Sequence, residues 1–180
     1  SVESVVETSV SAVKACIKKT GYLYADTHST QPVKLDAYNG KKAEFIISGD
    51  KLFVKSFDAS NDTFSLFRHT VTNGVVSAAE MLDASIKACN IIGADVWYRR
   101  SVTGSSLCDL YKYSTEKEKI DGDVASFAEL PDGNVLIVKN FVSSSDGEIA
   151  DLYLYDGKKT SLVAEKACLL YTSDAADDLT

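Results

Sequence analysis

The chain has 180 residues, 45% of them hydrophobic and 25% charged, enough for one ordinary soluble domain with a sizeable core. A formal net charge of -7, with no Lys/Arg stripe interleaved with aromatics, excludes nucleic acid as an expected partner. No apolar run approaches the roughly 20 residues of a membrane-spanning helix.

Residues 1–20 admit two readings. Val2, Val6, Val10, Val13 and Ile17 recur at helix-like spacing. The density of β-branched valines opposes a helix, and the preferred reading is the tail of a preceding strand repeat. Ser1 to Val10 carries acids and hydroxyls where a signal peptide would have a basic start and an apolar run. The first residue is serine, and the natural start is expected upstream.

Four segments then pair a glycine with an apolar, aromatic-rich run. They begin at Gly21 (Tyr22-Leu23-Tyr24), Gly49 (Lys51-Leu52-Phe53-Val54), Gly93 (Val96-Trp97-Tyr98) and Gly133 (Val135-Leu136-Ile137-Val138). The last three glycines lie roughly 40 residues apart, the size of one four-stranded propeller blade. A second run follows each: Ser65-Leu66-Phe67, Asp109-Leu110-Tyr111 and Asp151-Leu152-Tyr153, with the three leucines in register. Leu35-Asp36-Ala37-Tyr38-Asn39-Gly40-Lys41-Lys42 matches Leu152 to Lys159, and Val13-Lys14-Ala15-Cys16 matches Ile86-Lys87-Ala88-Cys89. Asn39-Gly40, Asn73-Gly74, Asp121-Gly122, Pro131-Asp132-Gly133, Asp146-Gly147 and Asp156-Gly157 are expected turns, since they supply positive φ.

Between Gly93 and Gly133 this predicts four strands, near 95–102, 108–115, 117–121 and 124–130. Equivalent first strands are expected at 51–56, 95–100 and 134–139. The unit from Gly21 is too short for four strands. Gly74 to Ala88 could be partly helical, because Ala78, Ala79, Glu80, Met81 and Leu82 favour helix. The expected fold class is all-β, an antiparallel array of consecutive four-stranded blades of an incomplete β-propeller.

Residues 168–180 resemble the conceptual translation of a transposase sequencing adapter over Cys168-Leu169-Leu170-Tyr171-Thr172-Ser173-Asp174-Ala175-Ala176-Asp177-Asp178. The resemblance implies a non-native tail and a natural domain over 1–167, with units near Gly21, Gly49, Gly93 and Gly133 and further sequence beyond Ala167.

The chemistry is sparse. Phosphate loops, H-E-x-x-H and G-x-S-x-G are absent from the sequence. His28 sits in a polar turn, Asp26 to Thr30, and His69 in a predicted strand as a packed or half-exposed residue. Asp58, Asn61 and Asp62 cluster in one loop, and Asp121 and Asp123 in another, without calcium-loop spacing. Lys117, Glu118 and Lys119 alternate in sign, as on a solvated strand or turn. Cys16, Cys89, Cys108 and Cys168 lack C-x-x-C spacing and are expected to be buried free thiols. Trp97-Tyr98-Arg99-Arg100 is the most unusual patch; alternation puts Trp97 and Arg99 on one face, with a core tryptophan and solvated arginines expected. No catalytic, cofactor-binding or metal-ligating residue is assigned.

Leu130-Pro131-Asp132-Gly133-Asn134-Val135-Leu136-Ile137-Val138 resembles the Pro-Asp-Gly hairpin of TolB-like propeller repeats. Asp151 to Leu162 is similar to the strand and turn that follow it there. The match is good over about 124–165 and loose earlier, and Pro-Asp-Gly occurs once. In that family such blades recur in bacterial envelope and secreted proteins, and beside hydrolase domains. The resemblance implies a non-catalytic recognition or scaffold domain of an extracytoplasmic protein, partnering another protein or an envelope ligand. A propeller attached to a hydrolase and a structural envelope module are the alternatives.

Overall fold

A computed structural model describes residues 2–6, 14–18, 23–26, 33–38, 40–145 and 147–169, with side chains from Lys34 onward. The described residues are all-β and antiparallel, without an α-helix. No helix among them is long and apolar enough to cross a membrane. The chain divides into two compact units, Ser1–Lys87 and Ala88–Thr180.

The first unit opens with a small sheet of β1 (Val2–Val6), β2 (Lys14–Lys18), β3 (Leu23–Asp26) and β4 (Val33–Lys34). Strands at both ends of 1–20 replace the helical alternative there. Gly21 and His28 lie outside the described residues. A second ladder follows: β5 (Ala43–Ser48), β6 (Lys51–Phe57), β7 (Phe64–Thr72) and β9 (Glu80–Ile92), with β8 (Val75–Val76) on β7. Its core packs Leu52, Val54 and Val71 against Leu35 and Tyr38. The opposite face also buries Phe53, Phe64, Leu66 and Ile86. Burial on both faces explains why Leu52-Phe53-Val54 is an unbroken apolar run.

Two expectations fail here. Residues 36–38 form a 3-10 turn where a strand like 152–155 was expected. Leu35 and Tyr38 thereby fall on one side of the turn and bury together, 6% and 1% exposed. The helical propensity around Ala78 to Leu82 is overridden as well: β7 supplies a strand edge, Leu82 is buried, and Arg68 pairs with Glu80 at 2.8 Å.

In the second unit the end of β9 meets β10 (Asp95–Ser101), followed by β11 (Cys108–Tyr113), β12 (Lys117–Glu129), β13 (Val135–Ser144), β14 (Gly147–Tyr155) and β15 (Thr160–Leu169) in ladder order. The core gathers Ile92, Trp97, Leu110, Val124, Val135, Ile137 and Tyr155. Trp97 on β10 meets Tyr155 on β14, ring centroids 5.4 Å apart, although the strands are not neighbours. The ladder therefore doubles back on itself. Strand β12 makes the corner: its first half pairs with β11, its second half with β13.

Asp121-Gly122 is accordingly not a hairpin. The predicted strands 117–121 and 124–130 are one strand with a bulge at Asp123, φ 56°. The Asp121 carboxylate accepts the Gly122 N–H at 2.8 Å, so the strand continues through what reads as a turn. Between Gly93 and Gly133 there are thus three strands and not four. Asn39 and Asp146, of two further expected turns, lie outside the described residues; the turns at Asn73-Gly74, Pro131-Asp132-Gly133 and Asp156-Gly157 form as expected. Asn73 and Gly74 have φ 50° and 77°, the type I′ pattern. In the Pro-Asp-Gly hairpin, Leu130 accepts the Gly133 N–H at 2.9 Å and Gly133 takes φ 82°. Strands β6 and β10 cover the first two predicted first strands, and β13 covers the third from Val135.

One register recurs three times. Leu66, Leu110 and Leu152 pair with Asp83, Asp121 and Ala164. Two residues later each third strand bulges at positive φ: Ser85 (59°), Asp123 (56°) and Lys166 (49°). Pairing then resumes as Phe64 with Ile86, Cys108 with Val124 and Ala150 with Ala167. The repeat is a three-stranded element with a bulged third strand. Strand β15 runs through Ala167 to Cys168 and Leu169, which pair with Ile149 and Glu148; residues 170–180 lie outside the described part.

Candidate functional groove in the first unit

The β6–β7 connection, Asp58 to Thr63, is built around one carboxylate. Asp58 accepts the hydroxyls of Ser60 and Thr63 at 2.8 and 2.6 Å, and the N–H groups of Asp62 and Thr63. The Thr63 hydroxyl first, then that of Ser60, hold its carboxyl far below the ordinary value, at about 2. Asp62 is neutralised by Lys87 at 2.6 Å. The acidic cluster seen in the sequence is a self-satisfied loop. No group of three or more potential metal ligands occurs among the described residues.

This loop, the Gly40–Lys42 segment and the bulge of β9 enclose an open groove of about 730 Å³. Its walls include Ser56, Ser65, Phe67, Ala84 and Ser85. Ser56 and Ser65 stand opposite each other across β6 and β7. Ser56 is only 6% exposed, yet neither serine hydroxyl bonds to another described residue. Lys41 and Lys42 are exposed at the groove and have no acidic partner among the described residues. Lys42 lies over the Phe57 ring, 4.7 Å from its centroid. An open basic rim thus sits above unpartnered hydroxyls in an acidic protein.

The same register looks different in the other repeats. Ser65 precedes Leu66 as Asp109 precedes Leu110 and Asp151 precedes Leu152. Asp109 accepts Lys119 at 2.7 Å and raises that ammonium above its ordinary pKa through the hydrogen bond. Its other oxygen rests against the bulge, 3.3 Å from where a Cβ on Gly122 would stand. Asp151 accepts the Asn140 amide at 2.7 Å and the N–H of the bulge residue Lys166 at 2.8 Å. Asn140, then Lys166, hold its carboxyl below the ordinary range. In the second and third repeats a carboxylate reaches from the middle strand to the bulge. In the first, Ser65 is too short to do so.

His69 lies in β7, 2% exposed. Its Nδ1 is 2.9 Å from the Ser77 carbonyl oxygen, which only accepts, so Nδ1 carries the proton. Nε2 accepts the Tyr38 hydroxyl at 2.6 Å. Burial pushes the Tyr38 phenol above its ordinary pKa, which keeps it a donor. The histidine is a packed strand residue, and through Tyr38 it ties the 3-10 turn to the sheet.

Trp97 is 4% exposed, a core residue packed on Tyr155 and Phe127. Tyr98 is fully buried and stacks on Tyr111 at 5.6 Å. Arg99 and Arg100 are half-buried where solvated arginines were expected, and Arg99 donates to the Ala125 carbonyl across the ladder. Lys112 and Lys119 pair with Glu118 and Asp109, so the alternating charges at 117–119 stitch β11 to β12. Of the cysteines, Cys108 is buried, Cys89 half-buried and Cys168 exposed.

The groove residues were not singled out from sequence, although a signal existed. Positions 52, 54 and 56 share one face, and there Leu and Val give way to Ser. No protein-family model matches the chain, and no curated protein matches it.

Proposed function

We propose that the chain is a non-catalytic recognition or scaffold domain assembled from propeller-type strand repeats, belonging to a bacterial extracytoplasmic protein. The observation that carries the reading is the first-unit groove: an open site of ligand size with unpartnered hydroxyls, on a ladder buried on both faces. A rigid ladder whose loops and register positions vary from repeat to repeat suits recognition. His69, the described histidine, is committed on both ring nitrogens, to the Tyr38 hydroxyl and the Ser77 carbonyl. The period of about 40 residues and the Pro-Asp-Gly hairpin support the propeller-type assignment. The three-stranded repeat and the unbroken β10 to β15 ladder depart from separate four-stranded blades.

The test is an amide-detected fragment screen of the full 180-residue chain, run beside fluorogenic ester, phosphoester and peptide substrates. Saturable shifts at groove residues without turnover are expected. Turnover that a groove substitution abolishes would overturn the non-catalytic reading. A diverse library that moves no amide would overturn recognition.

A further inference from the structure

We propose that the first-repeat groove binds a small organic carboxylate, whose charged group takes the place that Asp109 and Asp151 fill in the other repeats. The inference rests on the recognition reading and names the ligand class of the same groove.

Three repeats share one register, so the positions are comparable. Asp109 stands opposite Arg100, and Asp151 opposite Lys139, across the first two strands. Each carboxylate lies against or bonds its bulge, at Gly122 or Lys166. The first repeat replaces both partners by hydroxyls, Ser56 and Ser65. The space a carboxylate occupies elsewhere is left open beside Ser85, the bulge residue there. What remains complements an anion. Two hydroxyls without partners can donate, one of them on a serine only 6% exposed. Lys41 and Lys42 supply the positive charge that Lys119 supplies to Asp109. Of the nearby acids, Asp62 is paired with Lys87, and Asp58 keeps its charge but spends both oxygens on its own loop. Phe67 offers an apolar wall for the body of the ligand.

The experiment titrates the 15N-labelled full chain with benzoate, benzyl alcohol and benzylamine, which share one ring and differ in the charged group. Benzoate should shift the amides of Ser65, Phe67 and Ser85 saturably, at least about tenfold more tightly than the other two. Ser65→Asp restores the internal carboxylate and should abolish benzoate binding while the remaining spectrum stays in place. Lys41→Ala with Lys42→Ala, both at the surface, should weaken it by about tenfold without touching the fold. Equal binding of the alcohol or the amine would overturn the carboxylate inference and leave recognition standing. Undiminished benzoate binding in Ser65→Asp, or no groove shift with benzoate, would overturn it too. The fragment screen then decides the recognition reading separately.

Discussion

Replacing Trp97 by Ala should remove the side chain around which the second unit closes. Its ring packs on Tyr155 at 5.4 Å and Phe127 at 6.4 Å, in a cluster with the fully buried Leu110 and Ile137. A buried aromatic removes about 150–250 Å² from water, worth about 4–6 kcal/mol at roughly 25 cal/mol per Å². Alanine keeps the Cβ and the neighbours relax part-way, so the expected loss is about 3–5 kcal/mol. That is a large share of the about 5–15 kcal/mol that holds an ordinary domain together. Trp97 is the one tryptophan of the chain, so the variant must be followed by far-UV circular dichroism in urea. A midpoint shift with little change in slope is expected. A loss below about 1 kcal/mol would refute the closure of the ladder on Trp97, because only surface substitutions cost so little.

Tyr38→Phe strands the buried His69 Nε2 and should cost about 1–3 kcal/mol by chemical denaturation. The Tyr38 phenol is raised in the folded state, so its contribution is intact below the ordinary tyrosine pKa of about 10 and lost as pH rises beyond it. Phenylalanine should flatten that alkaline limb of a stability profile. Asp58 is depressed to about 2, so its contribution is present above the ordinary carboxylate value and lost as pH falls towards 2. Amide exchange in residues 58–63 should accelerate over that window, and Asp58→Asn should show the fast exchange already at neutral pH. Gly133→Ala adds a Cβ that meets nothing within 4 Å but holds φ 82°; the cost should be the backbone strain alone, about 1–2 kcal/mol, in a denaturation curve.

The repeat was legible because its leucines carry the register. Leu66, Leu110 and Leu152 align in sequence, and the ladder pairs them identically relative to the bulges. The strand count was not legible, because Asp-Gly reads as a turn wherever it occurs. At Asp121-Gly122 the side chain satisfies the backbone locally and the strand runs on, a bulge that turn chemistry does not announce. Residues 36–38 misled for a related reason: they copy a strand segment in sequence, but Leu35 and Tyr38 bury best from a 3-10 turn. The groove was half legible. The runs Ser65-Leu66, Asp109-Leu110 and Asp151-Leu152 display the substitution, but its meaning depends on a bulge that only the fold places beside it.

The functional reading stands on the equivalence of Ser65, Asp109 and Asp151, and that equivalence is a matter of register. The most direct measurement is the set of cross-strand nuclear Overhauser effects in the labelled full chain. The account predicts contacts between Phe64 and Ile86, between Cys108 and Val124, and between Ala150 and Ala167, each beside a bulge at Ser85, Asp123 or Lys166. A different register in any one of the three, or a regular ladder through Ser85, would contradict it.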